Sequence, residues 1–155
     1  MISPELLRRH PFFAPFTEAD LREFAMIADE FTAAEGDELF EECGDADTLY
    51  LLLDGGIDLY YKSEEEFHPK DSKEFEVGVI NPGEIFAISA LIDPYKLNAT
   101  ARVSQDSKYV KIDAAKLRTY LEANPTTGYL MMQQITKTIM ERLASTRVQL
   151  AAAWA

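Results

Sequence analysis

Residues 82–103 read PGEIFAISALIDPYKLNATARV, and their reading decides the fold. Pro82-Gly83 forms a turn signal, Ile85-Phe86 an apolar pair, and Ala87 to Leu91 a run of small and apolar side chains. Asp93-Pro94 breaks that run, and a strand pattern resumes at Thr100. The same punctuation continues outward. Of the seven glycines, Gly36, Gly44, Gly55, Gly56, Gly78 and Gly83 fall in the middle of the chain and only Gly128 lies beyond. Glycine supplies the positive φ angles of tight turns, so the middle is expected to be β-rich and the ends helical.

Strands are predicted at Phe31–Ala34, Glu38–Glu41, Thr48–Leu53, Ile57–Lys62, Phe75–Ile80, Thr100–Ser104 and Tyr109–Ile112, with Gly55-Gly56 read as a hairpin turn. The run Leu49-Tyr50-Leu51-Leu52-Leu53 is apolar throughout, as expected of a strand covered on both faces. Many short, closely spaced strands imply a barrel or jelly roll. The polar stretch Ser63 to Lys73, with Glu64, Glu65 and Glu66 in a row, reads as a solvated hairpin tip rather than a cation site.

The flanks change period. Thr17 is a candidate N-cap, with Asp20 three residues on, for a helix reaching about Ala28 through Leu21, Phe24 and Ala25. The segment Pro11 to Phe16 is aromatic and proline-broken, and reads as packing against the barrel end. Asp113 caps a helix to about Glu122, Asn124-Pro125 ends it, and a long helix starts near Thr126. That helix carries one stripe at Met132, Ile135, Ile139, Leu143 and Leu150 and a second at Tyr129, Met140, Ala144, Val148 and Ala151. The arc is wider than one barrel contact needs, so one stripe is expected on the chain's own barrel and the other on a second subunit, giving a homodimer whose helix residues are expected to be Met132, Ile135, Ile139, Leu143 and Leu150. The expectation is one mainly β domain over 1–155 with flanking helices: a helical segment 1–29, a barrel 30–112 and C-terminal helices 113–155.

Fifteen Lys and Arg stand against 27 Asp and Glu, for a net charge of −12. Such a field repels phosphate backbones and anionic lipid, so neither nucleic acid nor a membrane is an expected partner. The single cysteine, Cys43, cannot form an internal disulfide and no apolar signal stretch is visible at the start, which predicts a cytoplasmic protein.

Two segments together resemble the cyclic nucleotide-binding domain family, to which catabolite activator proteins and regulatory subunits of the cAMP-dependent kinase belong. In Gly36 to Ile57, Leu39-Phe40, Asp47, Leu49-Tyr50 and Gly55 follow the family pattern, while Cys43 stands where a glycine is usual. In Pro82 to Val103, Pro82-Gly83-Glu84, Phe86, Ser89-Ala90-Leu91, Asp93-Pro94-Tyr95 and Ala99-Thr100 are similar to the family's phosphate-binding cassette. The resemblance implies a jelly-roll barrel with N-terminal helices and a long C-terminal helix, a regulatory role, and a ligand site over Phe86, Ala87, Ile88, Ser89, Ala90, Leu91, Lys96, Leu97, Asn98, Ala99 and Thr100.

It also implies three residues that this chain lacks. The glycine that lets the backbone approach the sugar is Ala87, the glutamate that accepts from the ribose hydroxyl is Ile88, and the phosphate-binding arginine is Leu97. A charge-assisted hydrogen bond is worth about 1.5–3 kcal/mol, and a buried charge without its partner costs about 3–5 kcal/mol. Together the losses weaken nucleotide binding by about three to five orders of magnitude. Lys96 is the neighbouring cation that could take the phosphate, though a lysine matches it less well than an arginine fork. A cyclic nucleotide is thus the implied ligand, and the replacements disfavour it. No other cofactor is legible.

Enzyme readings fare worse. A metal-dependent barrel enzyme needs clustered imidazoles, and His10 and His68 are the only histidines. Asp45 and Asp47 begin like a calcium loop whose later ligands are missing. A DNA-reading helix-turn-helix would follow the long helix in activator-type relatives, and the chain stops at Ala155. Two expectations remain: a non-catalytic sensor whose long helix responds to a small ligand, or a constitutive scaffold that binds a protein partner through that helix.

Overall fold

The computed structural model describes residues 1–63 and 73–155. Helices α1 (Pro4–Arg8) and α2 (Glu18–Met26) precede strands β1 (Ala28–Ala33), β2 (Glu38–Phe40), β3 (Thr48–Ser63), β4 (Lys73–Ile80), β5 (Ile85–Phe86) and β6 (Thr100–Asp113). A single 3₁₀ turn, Ile88–Leu91, follows β5, and helices α3 (Ala114–Ala123) and α4 (Pro125–Ala153) close the chain. All strand pairs are antiparallel. β6 and β3 form the spine, with β1 and β2 on β6, and β4 and β5 on β3. The architecture is the mainly β jelly roll with flanking helices that the sequence predicts.

Local chemistry explains the helix starts. Thr17 Oγ1 accepts from the Asp20 amide at 3.1 Å, and Asp113 Oδ1 accepts from the Lys116 amide at 3.0 Å, so both predicted caps are in place. Helix α1 lies inside the helical segment expected over 1–29, although no bounds were predicted for it. Its signals are nevertheless present: Ser3 caps it, Pro4 occupies the first turn, and Arg8 sits in the last.

Two predicted turns are absent. Gly55-Gly56 does not make a hairpin, because β3 runs unbroken from Thr48 to Ser63, and the predicted strands Thr100–Ser104 and Tyr109–Ile112 are one strand, β6. The two long strands stay paired through register shifts between Leu52 and Ile57. A Cβ on Gly55 would sit 2.2 Å from Ser107 Oγ, and one on Gly56 would sit 2.7 Å from Ser104 Oγ. These glycines therefore make room for the partner strand across a bulge.

The apolar run on β3 is covered on both faces. Leu49 and Leu51 join the core against the helices, packing with Phe13, Phe24 and Ile135. Tyr50 and Leu52 face the barrel interior with Ile57, Ile80, Phe86 and Val103. Alternation along a strand produces this split without a polar position. Helices from both ends of the chain meet in the first core, and a buried polar node joins them. Asp20 accepts from Tyr120 Oη at 2.7 Å and from Thr127 Oγ1 at 2.9 Å. Burial alone would raise the Asp20 carboxyl, but the hydrogen bonds from Tyr120, Thr17 and Thr127 hold it below the ordinary carboxylate range. Burial and the bond to Asp20 push the Tyr120 hydroxyl up to about 12.

Helix α4 does not divide into the two predicted stripes. Its buried residues are Thr127, Met131, Gln134 and Ile135, all in its N-terminal half. Of the predicted dimer stripe, Ile135 lies in the chain's own core and Met132 packs against that core, while Ile139, Leu143 and Leu150 are exposed. The helix outruns the barrel beneath it, so burial is set by distance along the helix as much as by face. Among the described residues no helix is long and apolar enough to cross a membrane. The predicted hairpin tip with its three glutamates lies outside the described residues.

Candidate functional site

The cassette is built from the backbone outward. β5 pairs with β3 through Phe86 opposite Tyr50 and Ile85 opposite Leu51, and the Phe86 and Tyr50 rings stack with centroids 4.8 Å apart. With its end fixed, the chain turns sharply at Ala87, at φ 60 and ψ 40. That is the left-handed region where glycine is the default and an alanine costs about 1–2 kcal/mol. The 3₁₀ turn follows, with the Ala90 amide donating to the Ala87 carbonyl at 3.1 Å.

A second loop clamps the far side. The Leu97 amide donates to the Gly44 carbonyl at 2.8 Å, and the Cys43 amide donates to the Leu97 carbonyl at 2.8 Å. Cys43 itself has φ 70, so this turn also needs a left-handed residue. The Ala46 amide donates to the Tyr95 carbonyl at 2.8 Å, which fixes the loop before Leu97.

Between these loops and α4 lies a cavity of about 360 Å³. The cassette contributes Ala87, Ile88, Leu97, Asn98 and Ala99 to its wall. Phe40, Leu59 and Val77 come from the barrel, and Ile139, Arg142, Leu143 and Thr146 from α4. The lining is mostly apolar with three polar residues, a composition suited to a small-molecule site. Among the described residues it contains no carboxylate, and its one cation is Arg142.

The structure gathers five of the eleven predicted site residues at this cavity and places the others elsewhere. Phe86 is fully buried in the barrel interior. Ala90 is also buried, and its carbonyl accepts from the Arg118 guanidinium of α3. That guanidinium lies 4.0 Å from the centre of the Tyr95 ring, so α3 grips the cassette from behind. Ser89 Oγ is buried without a hydrogen-bond partner among the described residues. Leu91 lines a separate shallow groove with Tyr95, Leu121 and Met132. Lys96 pairs with Asp45 on the surface and is not part of the cavity wall. Thr100 Oγ1 accepts from the Glu42 amide at 3.0 Å, facing a wide, acidic depression of about 700 Å³. Arg102, the cation of that depression beside Lys62, already bonds Glu74 at 2.7 Å.

Arg142 was not among the residues predicted from sequence. One guanidinium nitrogen donates to the Ile85 carbonyl, so the side chain lies back along the barrel toward β5. Burial pulls the guanidinium below its ordinary value, with Glu84 and Glu141 pulling the other way. No carboxylate among the described residues forms an ion pair with it. A local signal could not have found this residue, because it enters the cassette region from more than forty positions away in the chain.

The barrel, the cassette turn and the helix lying across the cavity define a jelly-roll domain with flanking helices. The family model described as the cyclic nucleotide-binding domain matches residues 30–124, and this chain belongs to that family. It is similar to a protein from Geobacter metallireducens GS-15, provisionally described as cyclic nucleotide-binding, at 35% identity and a TM-score of 0.79 over 92% of this chain and 99% of that one. It is also similar to the N-terminal domain of a transcriptional regulator from Streptomyces coelicolor A3(2), at 25% identity and a TM-score of 0.68 over 90% and 94% of the two chains. The sensor domain of the regulator DNR from Pseudomonas aeruginosa shares the fold, at 20% identity and a TM-score of 0.68 over 90% and 95%. No curated protein sequence matches the chain.

Proposed function

We propose that the chain is a non-catalytic sensor domain whose cavity takes a small ligand other than tightly bound cAMP or cGMP. One observation carries this: Ile88 and Leu97 stand in the cavity wall at the positions where the family resemblance implies a carboxylate and a guanidinium. At those two positions an apolar side chain offers a ribose hydroxyl no acceptor and a phosphate no counter-charge. The cavity itself persists, bounded by α4, so a ligand that fits it would contact cassette and helix together. Binding would then favour one placement of α4 over another, and differential affinity for the two is what a sensor requires.

The exposed apolar side chains of α4, including Tyr129, Met140, Val148 and Leu150, support a homodimer as the readout. The test is a thermal-shift series with cAMP and cGMP up to millimolar concentration. Unchanged melting is expected, since a ligand at a hundred times its Kd would add about 2.7 kcal/mol. A rise of several degrees would overturn the reading.

A further inference from the structure

The cavity is asymmetric in a way that specifies its ligand. Toward the cassette its wall is Ala87, Ile88, Leu97, Asn98 and Ala99, and toward the barrel it is Phe40, Leu59 and Val77. Its charge comes from one side, where Arg142 on α4 stands with Thr146 one turn further along. The Arg142 guanidinium has five N–H donors, and the structure assigns one contact, to the Ile85 carbonyl. It is a partly buried cation with no ion-pair partner among the described residues. Such a group gains most from an anion that can enter the cavity, because a desolvated guanidinium and a carboxylate pair through two parallel hydrogen bonds.

We infer that the cavity binds an amphipathic carboxylate, with its apolar body against Ile88, Leu97 and Val77 and its carboxylate on Arg142. The inference rests on the reading of this cavity as a ligand site. It differs from a relocated phosphate site because the walls facing the cation are mostly apolar, with Asn98 and Thr146 the only uncharged polar side chains among the described residues that line it. It also gives α4 a direct part in recognition. Arg142 exchanges some of its hold on the Ile85 carbonyl for the ligand, so occupancy alters how α4 is tied to β5.

The experiment is calorimetric titration of the whole chain with octanoate, and with octanol as the same body without the charge. Octanoate is expected to bind, and octanol to bind at least about tenfold more weakly, the loss associated with a charge-assisted hydrogen bond. Arg142→Gln is expected to remove that preference, while Arg142→Lys keeps part of it. Circular dichroism establishes that both variants are folded. If either variant is not, Leu97→Asp in the apolar wall serves instead and is expected to abolish octanoate binding. Absence of octanoate binding, or equal binding of octanoate and octanol, overturns the inference. Nucleotide titrations run in parallel separate this outcome from failure of the sensor reading, which tight cAMP or cGMP binding would signal whatever octanoate does.

Discussion

The cassette loop and helix α4 line the same cavity, yet they contribute opposite kinds of wall. In the cassette loop the turn is left-handed, and the wall is apolar at the two positions that our proposal assigns to the polar anchors. Ala87 holds a left-handed angle where the resemblance implies a glycine, and Ile88 and Leu97 fill the positions of the two polar anchors. In α4 the cavity has a cation, Arg142, that no cassette motif announces. On the proposed reading, the site keeps its frame and takes its charge from the helix rather than from the loop. Electrostatic recognition depends on where a charge stands in space, and two segments distant in sequence can supply it equally well.

The comparison breaks first on the cassette. Restoring the polar anchors with Ile88→Glu and Leu97→Arg, together with Ala87→Gly, is expected to raise cAMP affinity by about three orders of magnitude or more. Calorimetry reads this directly. A variant that folds and gains nothing would mean that the loop does not present its anchors as the family's cassette does.

Next in size is the node that fastens α4's base. Asp20→Ala leaves the hydroxyls of Tyr120 and Thr127 without their acceptor and should cost about 2–3 kcal/mol. That corresponds to a fall in Tm of about 4–12 °C for a chain of this length. The pH dependence has a definite sign. The Asp20 carboxyl titrates below its ordinary value in the folded protein, so its contribution is complete above the unfolded value near ~3.9 and is lost as pH falls through the folded value. Asp20→Asn should therefore flatten the acid limb of the stability curve, measured by urea unfolding from neutral pH downward.

The outer part of α4 supplies the third test. Val148 and Leu150 are 70% and 59% exposed, and Val148→Glu with Leu150→Glu should convert the proposed dimer to monomer in sedimentation equilibrium. A wild-type chain that stays monomeric at high concentration removes the dimer reading altogether. The smallest effect belongs to the turn positions. Cys43→Gly relieves a left-handed residue at φ 70 and should stabilise by about 0.5–1 kcal/mol once the greater freedom of the unfolded glycine is counted. Thermal denaturation would show a rise of about 2–4 °C at most.

These regions also differ in how legible they were. The cassette frame could be read because turn residues, small side chains and apolar pairs occupy fixed offsets in one short stretch. The caps at Thr17 and Asp113 were legible for the same reason. Gly55-Gly56 misled because a glycine pair in a bulge and one in a hairpin look alike locally. Only the partner strand, with Ser104 and Ser107 pressed against them, distinguishes the two. The burial of Gln134 depends on the Phe12 carbonyl, which accepts from its side-chain amide at 2.9 Å. Arg142 likewise acquires its meaning from Ile85 and the cassette, because its own neighbours in α4, Ile139, Met140, Leu143 and Ala144, read only as apolar stripes.

The most direct test of the central claim is calorimetric titration of the unmodified chain with cAMP. The account predicts no heat of binding at millimolar nucleotide, because the cavity wall at Ile88 and Leu97 provides neither acceptor nor counter-charge. Saturable binding with a micromolar Kd would contradict it, and would show that a cation from elsewhere completes the phosphate site.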